Sequence, residues 1–530
     1  MSRMSYRGAF VFLGIMAFAA CSSSSGDSPA NPDSDAGADV RQPPPKYDPQ
    51  KLPELASAPT TFDGTLVPKT LKQPYTAGPN PALPDALVDY LKRGFGDLNN
   101  AAGEPYVTRV IDGSTPPAPG PGAKRILRFA TLADLQLADD ESPTRLGLYD
   151  SASTTSSALR PQDMDLCRMS NAAVRTINGI HRKDPIAFTL MGGDNADSAQ
   201  NNELDWALGI LSGGVVECDS GDDDDPVPGP ANDGKDPFLA EGLAMPWKWV
   251  TGNHDVLVQG NLKVDDGNSA AVLDTVANGG TRDYANGGNI ETGDFVVKDA
   301  RRKLLTRTDM ITKVAADKDG HGLGDKEKAS GRATYTFDVD PNFRFLVIDT
   351  AHEVGGADGV IKQSEIDRVI KPALDQAKQD AKWVVLASHH SVSSLSLDGG
   401  PFGLKEPDAL SSDQWAAFVG QYPNVLFSMV GHSHRNRVNP IAPAGGHAWW
   451  EVMTAAIADF PHEFRVIDVW DQDNGWIMMR ATAVDFSIDG DVVGDHGRKG
   501  GTVDVVSGWQ PNDGTGQPED RNVELWIKKP

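Results

Sequence analysis

Five apolar runs in this chain each stop at a cluster of polar side chains, and that rhythm constrains the fold more than any other feature. The runs are RILRFATLAD, PIAFTLMGGD, MPWKWVTGNHD, KWVVLASHH and NVLFSMVGHSH. Short apolar runs bounded by turn signals read as buried strands. Two further runs, RFLVIDT and EFRVIDVW, lack a polar ending, and segments with helical spacing lie between strands at 166–182 and 364–380. Strands alternating with helices predict an α/β architecture. In open sheets of that kind ligands collect beyond the carboxyl ends of the strands, which is where these clusters fall.

Taken singly, each cluster has an ordinary explanation. Asp134-Leu135-Gln136 reads as a turn or cap, and Gly192-Gly193-Asp194-Asn195 is a good turn by composition. Gly252-Asn253-His254-Asp255 is less bland, because a strand running into Asn-His-Asp seldom has a packing reason. Gly431-His432-Ser433-His434 is more telling, since two imidazoles at i and i+2 can converge on a metal. His389-His390 adds a further source of imidazole.

The conjunction is far more specific than its parts. In the order Asp-x-Gln, Gly-Asp-x-x-Asp, Gly-Asn-His-Asp, His-His and Gly-His-x-His, the chain resembles the calcineurin-like metallophosphoesterase superfamily over residues 124–485. It is also similar to secreted bacterial members around Gly320-His321-Gly322 and at Asp520-Arg521-Asn522-Val523-Glu524. The resemblance implies a four-layer α/β/β/α sandwich with a dinuclear metal centre at the strand ends. Asp194 would bridge both metals. Asp134, Gln136 and His434 would complete one, while Asn253, His389 and His432 would complete the other. His389 is preferred to His390 because the family's ligand usually precedes a second, variable residue. His254 would be a catalytic histidine near the phosphoryl group, oriented by Asp197.

Two divalent ions ~3.5–4 Å apart can share a bridging hydroxide and clamp both ends of an in-line displacement. Such a pair leaves the site positive, so a phosphate anion is welcome in an acidic protein. Mixed nitrogen and oxygen ligation suits Mn, Fe, Zn or Co without selecting among them. Gln136 stands where the family more usually has histidine. An amide oxygen binds transition metals more weakly than imidazole does, and the alternative is that Gln136 only hydrogen-bonds a metal-bound water.

The formal charge of −25 over 530 residues argues against sequence-independent binding to nucleic acid or anionic lipid. The expected partner is a small phosphorylated substrate, with no nucleic acid polymer and no membrane contact beyond an N-terminal lipid. Arg3 and Arg7 precede an apolar run at 9–20, too short for a spanning helix of ~20 residues, so 1–20 reads as a signal peptide. Its end, Phe18-Ala19-Ala20-Cys21, resembles a bacterial lipoprotein signal, with Cys21 lipidated and Ser22 pointing to the outer membrane. Phe18 replaces the usual leucine and leaves ordinary cleavage open. Residues 21–60 read as a flexible lipoprotein tether, 61–122 as an N-terminal appendage with a helix at 84–95, and 123–490 as the metallophosphoesterase domain. A long lid-like insert occupies 256–334, and 491–530 read as a C-terminal tail packing on the domain.

The acidic stretch 218–236 reads as a solvated loop and not a calcium site. Cys167 and Cys218 either pair or remain two buried thiols. The segment from Asp317 resembles a calcium loop but has Lys328 where a bidentate glutamate is required, so an EF-hand is rejected. His352, His447 and His462 read as structural, His321 as structural or substrate-facing, and Trp247 and Trp249 as core. The expected function is a phosphomonoesterase or phosphodiesterase at the cell envelope. The alternative is a binding or structural lipoprotein that keeps the fold and has lost catalysis.

Overall fold

The computed structural model describes residues 47–530 apart from 76–77, 146, 148–149, 151, 153–157, 223–224, 278–294, 512–513 and 530. The expected signal peptide, Cys21 and most of the expected tether lie outside the described residues. No helix of the described residues is long and apolar enough to cross a membrane.

In chain order the main strands are β1 (Val107–Val110), β2 (Lys124–Leu132), β3 (Thr189–Met191), β4 (Trp247–Lys248), β5 (Tyr335–Asp340), β6 (Phe343–Val347) and β7 (Trp383–Ala387). They continue with β8 (Val425–Val430), β9 (Arg437–Ile441), β10 (Trp449–Met453), β11 (Glu463–Asp471), β12 (Trp476–Asp485) and β13 (Val523–Lys528). A seven-stranded sheet has the order β1-β13-β12-β11-β2-β3-β4, and a six-stranded sheet the order β5-β6-β7-β8-β10-β9. Within them β2, β3 and β4 are parallel, as are β6, β7, β8 and β10. All five motif clusters follow one of these parallel strands.

Alternation along the strands sorts side chains between two layers of core, as the two-residue period of a pleated strand requires. Phe343, Phe345 and Val347 of β6 face the seven-stranded sheet, and the Phe345 ring meets Phe129 of β2 edge-on with centroids 5.4 Å apart. Leu346 and Ile348 face the other way, into a cluster with Ile366, Ile370, Leu374, Trp415 and Val419. That second cluster is the seat of the helices Lys371–Gln379 and Ser412–Val419 on the outer face of the six-stranded sheet.

The helices Leu166–Lys183, Asn201–Ser212 and Val492–Val506 form the layer beyond the other sheet, packed against one another. The first of them carries Met169, Ala172, Ala173, Ile177 and Ile180 on one stripe in the main core, the spacing of an amphipathic helix. His181, Arg182 and Lys183 sit in its last turn, where cations complement the helix dipole. The four layers expected from the motifs are therefore present.

The peripheral segments are more integrated than their sequences suggest. β13, from the expected tail, lies inside the sheet between β12 and β1, with Val523, Leu525 and Ile527 alternating into the core. β1, from the appendage, pairs with it in parallel. The helix Pro84–Lys92 packs Leu87 and Tyr90 on Val503 and Val506 of the helix Val492–Val506. The far end of the insert is wall, not lid: Met310, Ile311 and Val314 join the main core from the helix Arg307–Ala316, whose N-terminus is closed by a Thr306/Asp309 capping box. The end of the tether also lies on the domain, with Leu55 buried and the Pro53 carbonyl accepting from Arg175 at 2.8 Å.

The acidic stretch 218–236 departs from its solvated expectation. Asp219, Asp233 and Asp236 are buried while Asp222 stays exposed, and Asp219 joins Asp140 and Glu141, from outside the stretch, around the buried Lys235, whose Nζ lies 3.3 Å, 3.0 Å and 3.3 Å from them respectively. Cys167 and Cys218 form a disulfide that ties this loop to the start of the helix Leu166–Lys183.

Candidate metal centre

The loops that end the parallel strands are built under backbone strain. Asp134, Gln136, Asp194, His432 and His434 all have φ between 40° and 75°, a region that non-glycine residues adopt rarely and that clusters at functional sites. The glycines beside them are set by close approach. A Cβ on Gly252 would lie 2.0 Å from Asp194 Oδ1, and one on Gly431 would lie 2.7 Å from Asp134 Oδ2. The carboxylates thus press directly on the neighbouring loops' main chain.

These turns bring the two sheets' side chains together. His389 Nε2 is 2.9 Å from Asp194 Oδ2 and 3.9 Å from Asp134 Oδ1, and His434 Nε2 is 3.4 Å from Asp134 Oδ1. Asp134, Asp194 and His389 offer ligand atoms within 4.8 Å of one another, and so do His389, His390 and His432. The donor set fits divalent ions on a separate ground: a buried polar atom is left without a hydrogen-bond partner. Asn253 Nδ2 donates to the Gly260 carbonyl at 3.0 Å while its Oδ1 has no such partner. His389 Nδ1 is fixed by the Gly192 carbonyl at 2.7 Å, which turns its Nε2 towards Asp194 Oδ2. A main-chain carbonyl that fixes one ring nitrogen and presents the other is the usual support of a ligating histidine. His390 differs: Thr350 Oγ1 at 2.8 Å and the Ala357 carbonyl at 2.9 Å take both its nitrogens.

The electrostatics follow from crowding these groups away from water. Burial favours a neutral Asp194, but His389 and His254 outweigh it and hold the carboxyl well below the usual range. Burial likewise lowers His389, yet Asp194 and Asp134 lift it to about 9. His434 is lifted against burial to about 10 by Asp459 and Asp134. His390, buried beside the cationic His389, is pushed down to about 3.

His254 sits where the motif requires. Its main-chain N–H donates to Asp194 Oδ1 at 2.8 Å, and its Nδ1 is 2.7 Å from the Asp197 carbonyl. The Asp197 carboxylate is farther, at 3.4 Å, so the main chain of Asp197 orients the ring more closely than its side chain does. That carboxylate is held by Arg145 at 2.8 Å, and Arg145 also pairs with Asp163 at 2.6 Å.

Three supporting residues escaped the motif reading. Asp255 accepts from the main-chain N–H groups of Gly252, Asp194, Asn195 and Ala196 at 2.8–3.1 Å, clamping two ligand loops together. Asp459 holds His434 Nδ1 at 2.5 Å and accepts from Arg160 Nε at 2.7 Å. Arg160 also donates to Gln136 Oε1. Asp255 could have been suspected from its place at the end of Gly-Asn-His-Asp, and Asp459 from its polar break after the apolar run of β10. Arg160 carries no local signal.

The other singled-out residues have framework partners. His321 stacks on Trp247 with ring centroids 3.3 Å apart and pairs with Asp317 at 2.7 Å. His352, His447 and His462 each face a main-chain carbonyl, those of Gly355, Val425 and Ile457.

Solved structures similar to this chain include a dimetal phosphatase from Danio rerio, at 13% identity and a TM-score of 0.39, covering 69% of this chain and 100% of that one. A purple acid phosphatase from seeds of yellow lupin (Lupinus luteus) follows at 12% identity and 0.32, covering 73% and 54%, and PhoD at 11% and 0.31, covering 72% and 68%. No family model matches the chain, and no curated protein does. Likenesses this distant transfer no activity. Two facing sheets with helices outside them, and loops converging at the ends of parallel strands, give this chain a four-layer α/β fold with a candidate metal site.

Proposed function

We propose that this protein is a metal-dependent hydrolase of small phosphoesters, anchored at the cell envelope through a lipid on Cys21. The observation that carries the catalytic reading is the buried meeting of Asp134, Asp194 and His389, with the buried Asn253 Oδ1 beside them lacking a hydrogen-bond partner. Asp134, Asp194 and His434 would hold one divalent ion, and Asp194, Asn253, His389 and His432 the other. When bound, such ions would polarise the phosphoryl oxygens and make water a competent nucleophile near neutral pH.

The chain's own contribution centres on His254. The Asp197 carbonyl can only accept, so the proton at that contact belongs to Nδ1, and Nε2 is left to face a substrate. Gly260, at φ 64°, keeps that edge open, since a Cβ there would lie 2.4 Å from Nε2. Against burial, Asp194 and Asp197 raise the affinity of the ring for protons. A charged His254 would donate from Nε2 to the leaving alkoxide or steady the phosphoryl oxygens.

The test is metal analysis with parallel monoester and diester assays on wild type, Asn253→Ala and His254→Ala. Metal-dependent turnover that falls in both variants, with metal content kept in His254→Ala, is the expected result. Wild-type protein that binds metal and turns over neither ester class would overturn the hydrolase and favour a binding lipoprotein. Membrane fractionation of Cys21→Ser tests the anchor, whose loss should release the protein from membranes.

A further inference from the structure

Gln136 is an expected ligand whose metal-binding atom is already engaged by an arginine that belongs to no metal subsite. A guanidinium only donates, so the amide atom facing Arg160 must be Oε1, and the atom lying 3.5 Å from Asp194 Oδ2 must be the NH2 group. Both contacts fix the same orientation, with the amide's donor end turned towards the carboxylate that the two ions would share. Arg160 is itself locked. It is buried, its Nε donates to Asp459 Oδ1 at 2.7 Å, and its Nη1 lies 3.8 Å from Asp163 and 3.7 Å from Asp197. Through Asp459 the same guanidinium is linked to His434.

The other half of the centre has no such neighbour among the described residues. His389 is oriented by a neutral carbonyl, and Asn253 is turned so that its Oδ1, not its NH2, is the end left without a partner. The two amides of the site are therefore presented in opposite senses.

We propose that Arg160 is a positioning residue that withholds Gln136 from direct ligation and makes the two metal subsites unequal. This rests on the metal-centre reading above. The subsite at Asp134 and His434 has one protein ligand fewer and a fixed positive charge beside it, so it binds its ion more weakly and fills second. The Asn253, His389 and His432 subsite fills first.

The test is calorimetric titration of the metal-free full chain with Mn2+ alone, read as stoichiometry and stepwise affinity. Wild type should show two steps separated by about tenfold or more, the size of effect that groups supporting a ligand exert. Arg160→Met should tighten the weaker step by about tenfold, while Arg160→Lys, which keeps the charge, should preserve the gap. Gln136→Leu removes no charge and should leave both steps within about twofold of wild type; it serves as the test if Arg160→Met fails to fold. Equal steps in wild type, an unchanged weaker step in Arg160→Met, or a step weakened about tenfold in Gln136→Leu would each overturn the proposal. Turnover assays on the same samples separate the two readings. Equal steps with ester hydrolysis sink only the inequality, whereas unequal steps without hydrolysis sink only the enzyme.

Discussion

The two sheets bring different chemistry to one seam. The seven-stranded sheet supplies the oxygen and amide side, with Asp134, Gln136, Asp194 and Asn253 on the loops after β2, β3 and β4. The six-stranded sheet supplies every expected imidazole ligand, with His389 after β7 and His432 and His434 after β8. Their surroundings differ in kind. Beside the oxygen and amide group stand buried cations, Arg145 and Arg160, which pair not with Asp134 or Asp194 but with Asp163, Asp197 and Asp459. Behind His389 and His390 stand neutral acceptors, the Gly192 and Ala357 carbonyls and the Thr350 hydroxyl. His434 is the exception, steadied by Asp459. The difference follows from desolvation: clustered acids stay ionised in a dry interior only beside cations, whereas the far nitrogen of an imidazole needs only a polar atom to fix the ring's orientation.

That asymmetry can be broken at several strengths. The largest effect is expected at the seam, where His254→Ala should lower kcat by about 10²–10⁴-fold with bound metal unchanged, measured by steady-state kinetics and metal analysis. On the carboxylate side, Arg145→Met removes the nearest buried cation from Asp163 and Asp197 and should cost ~3–5 kcal/mol in urea unfolding. The disulfide between Cys167 and Cys218 braces the same side, and Cys218→Ala should cost ~2–4 kcal/mol, with thiol reductant destabilising wild type but not the variant.

The smallest effect belongs to the imidazole-bearing sheet. Glu451 of β10 is buried, and burial raises its carboxyl from 4.5 to about 7, with the Val392 N–H at 2.8 Å as a partial offset. The folded state therefore holds this proton more tightly than the unfolded chain. Its contribution is fully present below pH 4.5 and is lost as pH rises through about 7. Glu451→Gln should then stabilise by ~1–3 kcal/mol at pH 8 and have little effect at pH 4, read as the difference between thermal melts at the two pH values. A variant equally stabilising at both would show that Glu451 is not the titrating group.

The clusters that meet at the seam were legible because their residue types are rare at strand ends, and five such ends in order are hard to obtain otherwise. His389 could not be told from His390 by the residues alone. The choice becomes physical only when both nitrogens of His390 are seen to be taken. Arg160 and Arg145 were invisible for a different reason: a buried arginine is recognised by its partners, and Arg160 meets Asp459 almost three hundred positions away. The strands β2, β6, β7, β8 and β11 were readable as continuous apolar runs. β13 was not, because VELWIK is only six residues long and carries Glu524 and the exposed Lys528 among its apolar residues, so its short pattern resembles any surface segment. The acidic loop misled in part, because composition reports its charge but not that Asp219, Asp233 and Asp236 are buried.

The place of β13 has a consequence for how the molecule comes into being. Its neighbours in the sheet are β12 and β1, and Asp520 and Arg521 just before it reach Val438, Glu463 and Glu104. A strand near residue 107 thus waits for one near residue 523 before its edge is covered. Non-local pairing of that span is slow to form and leaves open edges meanwhile. Maturation is then gated by a strand that lies far along the chain: one cut short before β13 would carry all five strand-end clusters and still present an unsealed sheet prone to aggregate.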